Sequence, residues 1–289
     1  MKKNLTLTMV VNTTANYGES LGNISSIQKT HRNGELFAIR TKESIGYSIR
    51  EQSGMNDTLS IIRAGKVAQI ENNEELNAAN CPALDFGYMT TEGKQTTRKR
   101  AIRITDMVSA YKFDNDYQFR NNLGIANIFS KANGCELKDG GLMPYNYEYD
   151  KSYKIYSITI DLDRIGKDEN YDQECSNEEK AKRVNLILDT IQHLILTVKG
   201  YTDNAEPLFV VGGLSDYATH TFENVVKIKK NNISVSDDLI NKYKNGDYSC
   251  GIMEDSFDNS SEVKEKLGAT TVDEFFADLK EKVSNNYLN

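Results

Sequence analysis

Tryptophan is absent from this chain of 289 residues, which has only 3 prolines, 4 cysteines and 3 histidines. The cysteines, Cys81, Cys135, Cys175 and Cys250, lie far apart with no CxxC pair. That spacing argues against an extracellular disulfide framework and against a thiolate zinc site. His31, His193 and His220 have no cysteine near them in sequence, so no metal and no cofactor is expected. No run of 18 apolar residues occurs, so no membrane helix is expected. The opening MKKNLTLTMVVN is too short and too interrupted by threonine for a secretory apolar core. The expectation is a cytoplasmic protein of one large or two small domains.

Charge is plentiful but uneven. The net charge is −7. Residues 1–130 carry 16 Lys and Arg against 13 Asp and Glu, whereas residues 131–289 carry 19 against 29. Affinity for nucleic acid follows the local field and not the total. A basic face on the first half is therefore compatible with an acidic remainder.

Hydrophobic periodicity divides the chain. Leu5, Leu7, Met9 and Val11 alternate with threonines and valine, the pattern of a half-buried strand. A polar, Gly-containing loop follows at residues 12–23. Thr41 is a plausible N-cap for a basic helix ending near Ser53 and Gly54. Residues 155–163 (IYSITIDLD) read as a strand, with Asp161 and Asp163 as strand-end carboxylates. Ser176 with Glu179 opens a helix whose apolar steps run to Val198, with Gly200 as its stop. Residues 207–211 read as a central strand that Gly212 and Gly213 end. Residues 222–230 (FENVVKIKK) read as another strand. Thr271 with Glu274 opens a closing helix. A strand–helix–strand series split by an insertion suits an α+β fold with an antiparallel sheet, ferredoxin-like or RRM-like.

Two stretches suggest binding. Residues 12–50 join the Gly-containing loop to a helix bearing Arg40, Lys42 and Arg50. Lys94, Arg98, Lys99, Arg100 and Arg103 form the densest basic cluster, beside a polar segment. A charge run is usually a solvated face, but five cations beside a flexible loop also suit nucleic acid. Tyr145, Tyr147, Tyr149, Tyr153 and Tyr156 crowd together. Aromatic rings can stack on bases, but at alternating positions we read these as covering a sheet.

The residues then carry a resemblance. NYGESLGN at 16–23, Thr41-Lys42 leading to Tyr47-Ser48-Ile49-Arg50, Asp85-Phe86-Gly87-Tyr88, the strand at 98–104, residues 158–166 and Val211-Gly212-Gly213 occur in one order. In that order the chain resembles the backbone subunit of CRISPR-associated Cascade complexes, in the DevR-type branch of the RAMP superfamily, type I-B-like. The resemblance implies an RRM-like palm (residues 1–54 and 150–289, with a thumb-like hairpin) and a finger-like insertion (residues 55–149). It implies a non-catalytic protein that polymerises head to tail along a CRISPR guide RNA and presents the guide to target DNA in antiviral defence, alongside other Cascade subunits. The RNA-binding residues it implies are Asn16, Tyr17, Gly18, Ser20, Gly22, Asn23, Lys29, Arg40, Thr41, Lys42, Arg50, Lys94, Arg98, Arg100, Gly212 and Gly213. Glu43 stands where the family has Gln, so that turn departs from the pattern. The alternative is a RAMP-type endoribonuclease cutting target RNA through Asp57 or Asp85.

Overall fold

The computed structural model describes residues 2–21, 24–91, 95–114, 116–198 and 200–289. The fold is α+β and is built on one antiparallel sheet. Its axis is the pair Asn4–Thr14 and Lys151–Asp161, in register from Asn4 opposite Asp161 to Thr14 opposite Lys151. On one side of Asn4–Thr14 lie Phe209–Ser215 and then Tyr248–Ile252. On the far side of Lys151–Asp161 lie Ile102–Ile104 and Met107–Ser109, and then Glu35–Arg40 and Lys29–Arg32. Part of the 55–149 stretch thus belongs to the main sheet.

The alternation in the first strand sorts two cores. Leu5, Leu7, Met9 and Val11 face helices α1 (Lys42–Gln52), α3 (Asn177–Gln192) and α6 (Val272–Leu288), through Ile45, Ile49, Val184, Leu188, Phe275 and Phe276. Val10, Phe209 and Val211 face the other way, against Phe222, Val225, Leu239 and Val263. Leu239 comes from α4 (Asp237–Lys244) and Val263 from α5 (Ser260–Leu267). The remaining described helix, α2 (Leu123–Asn133), sits in the insertion. No described helix is long and apolar enough to cross a membrane.

Local chemistry explains the helix starts. Thr41 accepts a hydrogen bond from the Ser44 amide, Ser176 from the Glu179 amide, and Thr271 with Glu274 forms a complete capping box. Three expectations are corrected. The helix expected to reach Val198 stops at Gln192, and Ile195–Val198 turns back on Tyr201–Asn204. Leu194 and Leu196 are both buried, a period of two that β-branched neighbours favour, and Gly200 at φ +79 is a hairpin turn. Residues 222–230 form turns, with only Ile228–Lys229 paired. Phe222, Val225 and Val226 all enter the same core, a spacing that no strand offers. Finally, Gly212 and Gly213 lie inside the Phe209–Ser215 strand and do not end it.

Candidate nucleic-acid interface

The structure uses many of the predicted binding residues to build itself. The Asn16 carboxamide accepts the Thr41 amide at 3.0 Å and donates to Gln28 Oε1 at 2.7 Å. The Lys42 amide donates to Asp106 at 2.9 Å, so the start of α1 is already capped. Lys29 pairs with buried Glu148 at 2.6 Å. Arg40 is 2 % exposed and donates to Ser44 Oγ at 3.0 Å. It makes no ion pair among the described residues, and burial lowers its pKa to about 10, still charged at neutral pH. Gly18 and Ser20 lie in the Tyr17–Leu21 strand. Gly22, Asn23 and Lys94 lie outside the described residues.

Arg98, Gly212 and Gly213 are interior. Arg98 donates to the Leu84 carbonyl at 2.7 Å, the Arg164 carbonyl at 2.6 Å and Asp85 at 3.0 Å. Arg183 reaches the other oxygen of Asp85 at 3.2 Å, and the Gly166 amide donates to Asp85 at 2.9 Å. Asp85 is wholly buried among these donors, so it cannot meet a substrate as the nuclease alternative requires. Gly212 sits at φ +158, where a Cβ would stand 1.9 Å from the Thr6 carbonyl oxygen. Close strand approach accounts for it. Arg50 and Arg100 remain as neighbouring cations near the surface. The Arg50 guanidinium lies 5.1 Å from the Phe86 ring centroid, and burial first, then Arg100, lowers its pKa.

The open site lies elsewhere. A cleft of about 500 Å³ lies between the end of the first strand, the insertion and the Ile195–Asn204 hairpin. Its insertion wall carries Tyr145, Tyr147 and Tyr149, which alternate on the strand Tyr145–Glu148 and just past it. Tyr17 stands 6.1 Å from Tyr147, centroid to centroid, and Tyr145 stands 6.3 Å from it. The Arg120 guanidinium lies 4.9 Å over the Tyr147 ring. Tyr201, 70 % exposed, comes from the hairpin. Burial pushes the Tyr17 hydroxyl up to about 12, so it stays neutral. Arg40 and Lys154 are buried near Asp203, Arg120 and Lys151 stand at the mouth, and Asp150 and Asp203 are the carboxylates set among them. The local balance is positive on a chain that is negative overall.

Of the sequence-derived site residues, Tyr17 lines this cleft. Arg120, Lys151, Tyr201 and Asp203 were not singled out. The signal for the site was the tyrosine alternation at 145–149, which the tertiary structure leaves half-buried at Tyr145 and Tyr149 and buried at Tyr147. Among the described residues, no set of three or more His, Cys, Asp or Glu is placed to hold a metal ion.

Comparison with known proteins gives three findings. The family model described as "CRISPR-associated negative auto-regulator DevR/Csa2" matches residues 40–237. No curated protein matches at the sequence level. Among solved structures, a chain of a "CRISPR RNA-guided surveillance complex, pre-nicking" is similar with TM-score 0.63 at 12% identity, covering 98% of this chain and 99% of that one. A chain of a "CRISPR RNA-guided surveillance complex" is similar with TM-score 0.59 at 13% identity, over 98% and 99%.

Proposed function

Because the chain belongs to the DevR/Csa2 family of CRISPR-associated proteins, we propose that it is a non-catalytic, RNA-binding backbone subunit of a Cascade surveillance complex. It would work in the cytoplasm, in antiviral defence. The observation that carries the reading is the cleft: the rings of Tyr17, Tyr145, Tyr149 and Tyr201 line it around the buried Tyr147, under a locally positive field. Stacking surfaces and cations bind single strands without reading sequence, and base pairing supplies the specificity. The fold supports it as well. Asn4–Thr14, α1, Ile102–Ile104, Lys151–Asp161, α3 and Phe209–Ser215 follow one another as an RRM-like palm, and adjacent strands pair in the order last, first, third, second. The Ile195–Asn204 hairpin is the thumb, and the outer part of the insertion is the finger.

On this reading copies stack head to tail along a guide RNA and present it to target DNA. An unpartnered apolar stripe on α2 supports contacts between subunits: Ile125 and Ile128 are 71% and 72% exposed, beside Phe129. Patches of this kind mark interaction surfaces, and heterologous contacts that do not close make an open helix. Arg50, Lys99 and Arg100 add cations for the backbone of either strand.

The test is co-expression with the CRISPR array and the partner subunits. The protein is expected to co-purify with RNA, seen in the 260/280 nm ratio and by sizing of the bound RNA. A nucleic-acid-free monomer under those conditions overturns the reading. Cleavage of target RNA that Asp57→Ala abolishes would restore the nuclease alternative.

A further inference from the structure

The wall that the hairpin gives to the cleft is held by one carboxylate. The partner strand Phe209–Ser215 begins opposite Val10, so residues 11–14 of the first strand have no ladder neighbour on that side. Exposed strand edges of this kind need partners for their amides. Asp203 supplies one. Its Oδ2 accepts the Thr14 amide at 2.6 Å and the Thr13 hydroxyl at 2.7 Å, and its Oδ1 pairs with Lys151 at 2.8 Å. The carboxylate is 12% exposed, and these donors offset its desolvation.

The hairpin's other attachments are at its base. Leu194, Leu196 and Ala205 are buried in the main core. Gln52, at the end of α1, brackets Ile195: it donates to the Ile195 carbonyl at 2.6 Å and accepts the Ile195 amide at 3.0 Å. Beyond Leu196, the cleft residues Val198, Tyr201 and Thr202 lie on the part that Asp203 ties to the palm. None of these three is buried. A β-hairpin without a buried face is marginal by itself.

We infer that Asp203 is a positioning residue for the cleft: it caps the open edge of the first strand and thereby sets Tyr201 at a fixed distance from the tyrosines of the insertion. This rests on the cleft being the RNA site. Asp203 touches no RNA in this role; it acts through the hairpin. Loosening it leaves the encounter with RNA unchanged and shortens the bound lifetime, because most changes within one interface appear in the off-rate.

The experiment compares the wild type with Asp203→Ala, Asp203→Asn and Lys151→Ala in the full chain, using hydrogen exchange and binding of a labelled oligouridylate. Asp203→Ala is expected to speed amide exchange in residues 197–204 by tenfold or more and to raise the RNA off-rate about tenfold, the scale of one lost base stack. The melting temperature should fall somewhat, because buried Arg40 and Lys154 lose a nearby carboxylate, and the on-rate should stay the same or rise with the loss of one negative charge. Asp203→Asn keeps one carboxamide oxygen, which can accept from both Thr13 and Thr14 as Oδ2 does, and should restore most of the exchange protection. Lys151→Ala should keep the protection and only flatten the salt dependence, by about one unit of slope. Unchanged exchange in Asp203→Ala overturns the latch. Faster exchange with an unchanged off-rate overturns the link to the cleft and leaves RNA binding standing. A wild type that binds no oligouridylate overturns the RNA reading itself, and the exchange data still report on the latch.

Discussion

The basic run around Arg98 and the tyrosine run around Tyr147 exchange roles between sequence and structure. The first has the composition of a nucleic-acid site, yet Arg98 is buried against Asp85 with Arg183, clamping the insertion to the palm. The second has the alternation of a sheet cover, and Tyr147 and Tyr156 are buried as that reading expects, but Tyr145, Tyr147 and Tyr149 also line a cleft beside Arg120 and Lys151. Charge density marks a binding surface only where the charge is left unneutralised. The Asp85 cluster spends its cations on an interior carboxylate and on backbone carbonyls. The cleft keeps Arg120 clear of any ion pair among the described residues, while Lys151 is paired with Asp203.

The sharpest way to break this contrast is to remove the interior carboxylate. Asp85→Ala leaves Arg98 buried without its counter-charge and Arg183 with Glu179 alone, and should cost about 3–5 kcal/mol of folding stability, measured by urea unfolding. A loss below about 1 kcal/mol would show that the cluster tolerates water, as a surface site does. Next is Gly212→Ala. The added methyl would collide with the Thr6 carbonyl, and the strand should lose about 2 kcal/mol or more by the same measurement. An unchanged unfolding midpoint would show that the strands part easily there.

The cleft should respond the other way. Arg120→Ala with Tyr201→Ala is expected to leave the unfolding midpoint in place and to weaken oligouridylate binding about tenfold or more. Full-strength binding would return the tyrosines to sheet cover.

The smallest effect is one of pH. His220 accepts or donates a hydrogen bond at 2.8 Å with Thr159 Oγ1, and burial first, with Arg103 adding to it, lowers its pKa below 6.5. A base whose pKa falls on folding contributes stability above its unfolded pKa and loses it as pH falls through the folded value. The melting temperature should therefore drop slightly below pH 6.5, and His220→Asn should flatten that slope. Among the described residues no histidine lines the cleft, so RNA binding should hold between about pH 7.5 and 5.5. A parallel fall in binding would couple the two regions.

Much of the fold was legible because its signals are local. Thr41, Ser176 and Thr271 cap helices through bonds to residues three positions on. The alternation of Leu5, Leu7 and Met9 sorts the faces of the first strand without reference to any partner. The stop at Gln192 was not legible, because Ile195 and Val198 continue the helical steps of Leu188 and Ile191 until the first strand's open edge supplies a place for the hairpin. The strand reading of residues 222–230 failed for the same reason: Phe222, Val225 and Val226 take the shape of the core they fill.

The sequence by itself determined the α+β class, the helix starts, the alternating strands that form the centre of the sheet and the family. These depend on spacing and on side chain–backbone bonds a few residues long. Only the tertiary structure decided which cations are spent and which are free. Arg98 and Arg100 are two residues apart and chemically alike. Arg98 turns inward because Thr96–Arg98 pairs with Tyr88–Thr90 above Asp85, while Arg100 stays exposed. That choice follows from long-range register, which no local pattern encodes, and it moves the candidate RNA site from the basic run to the tyrosines.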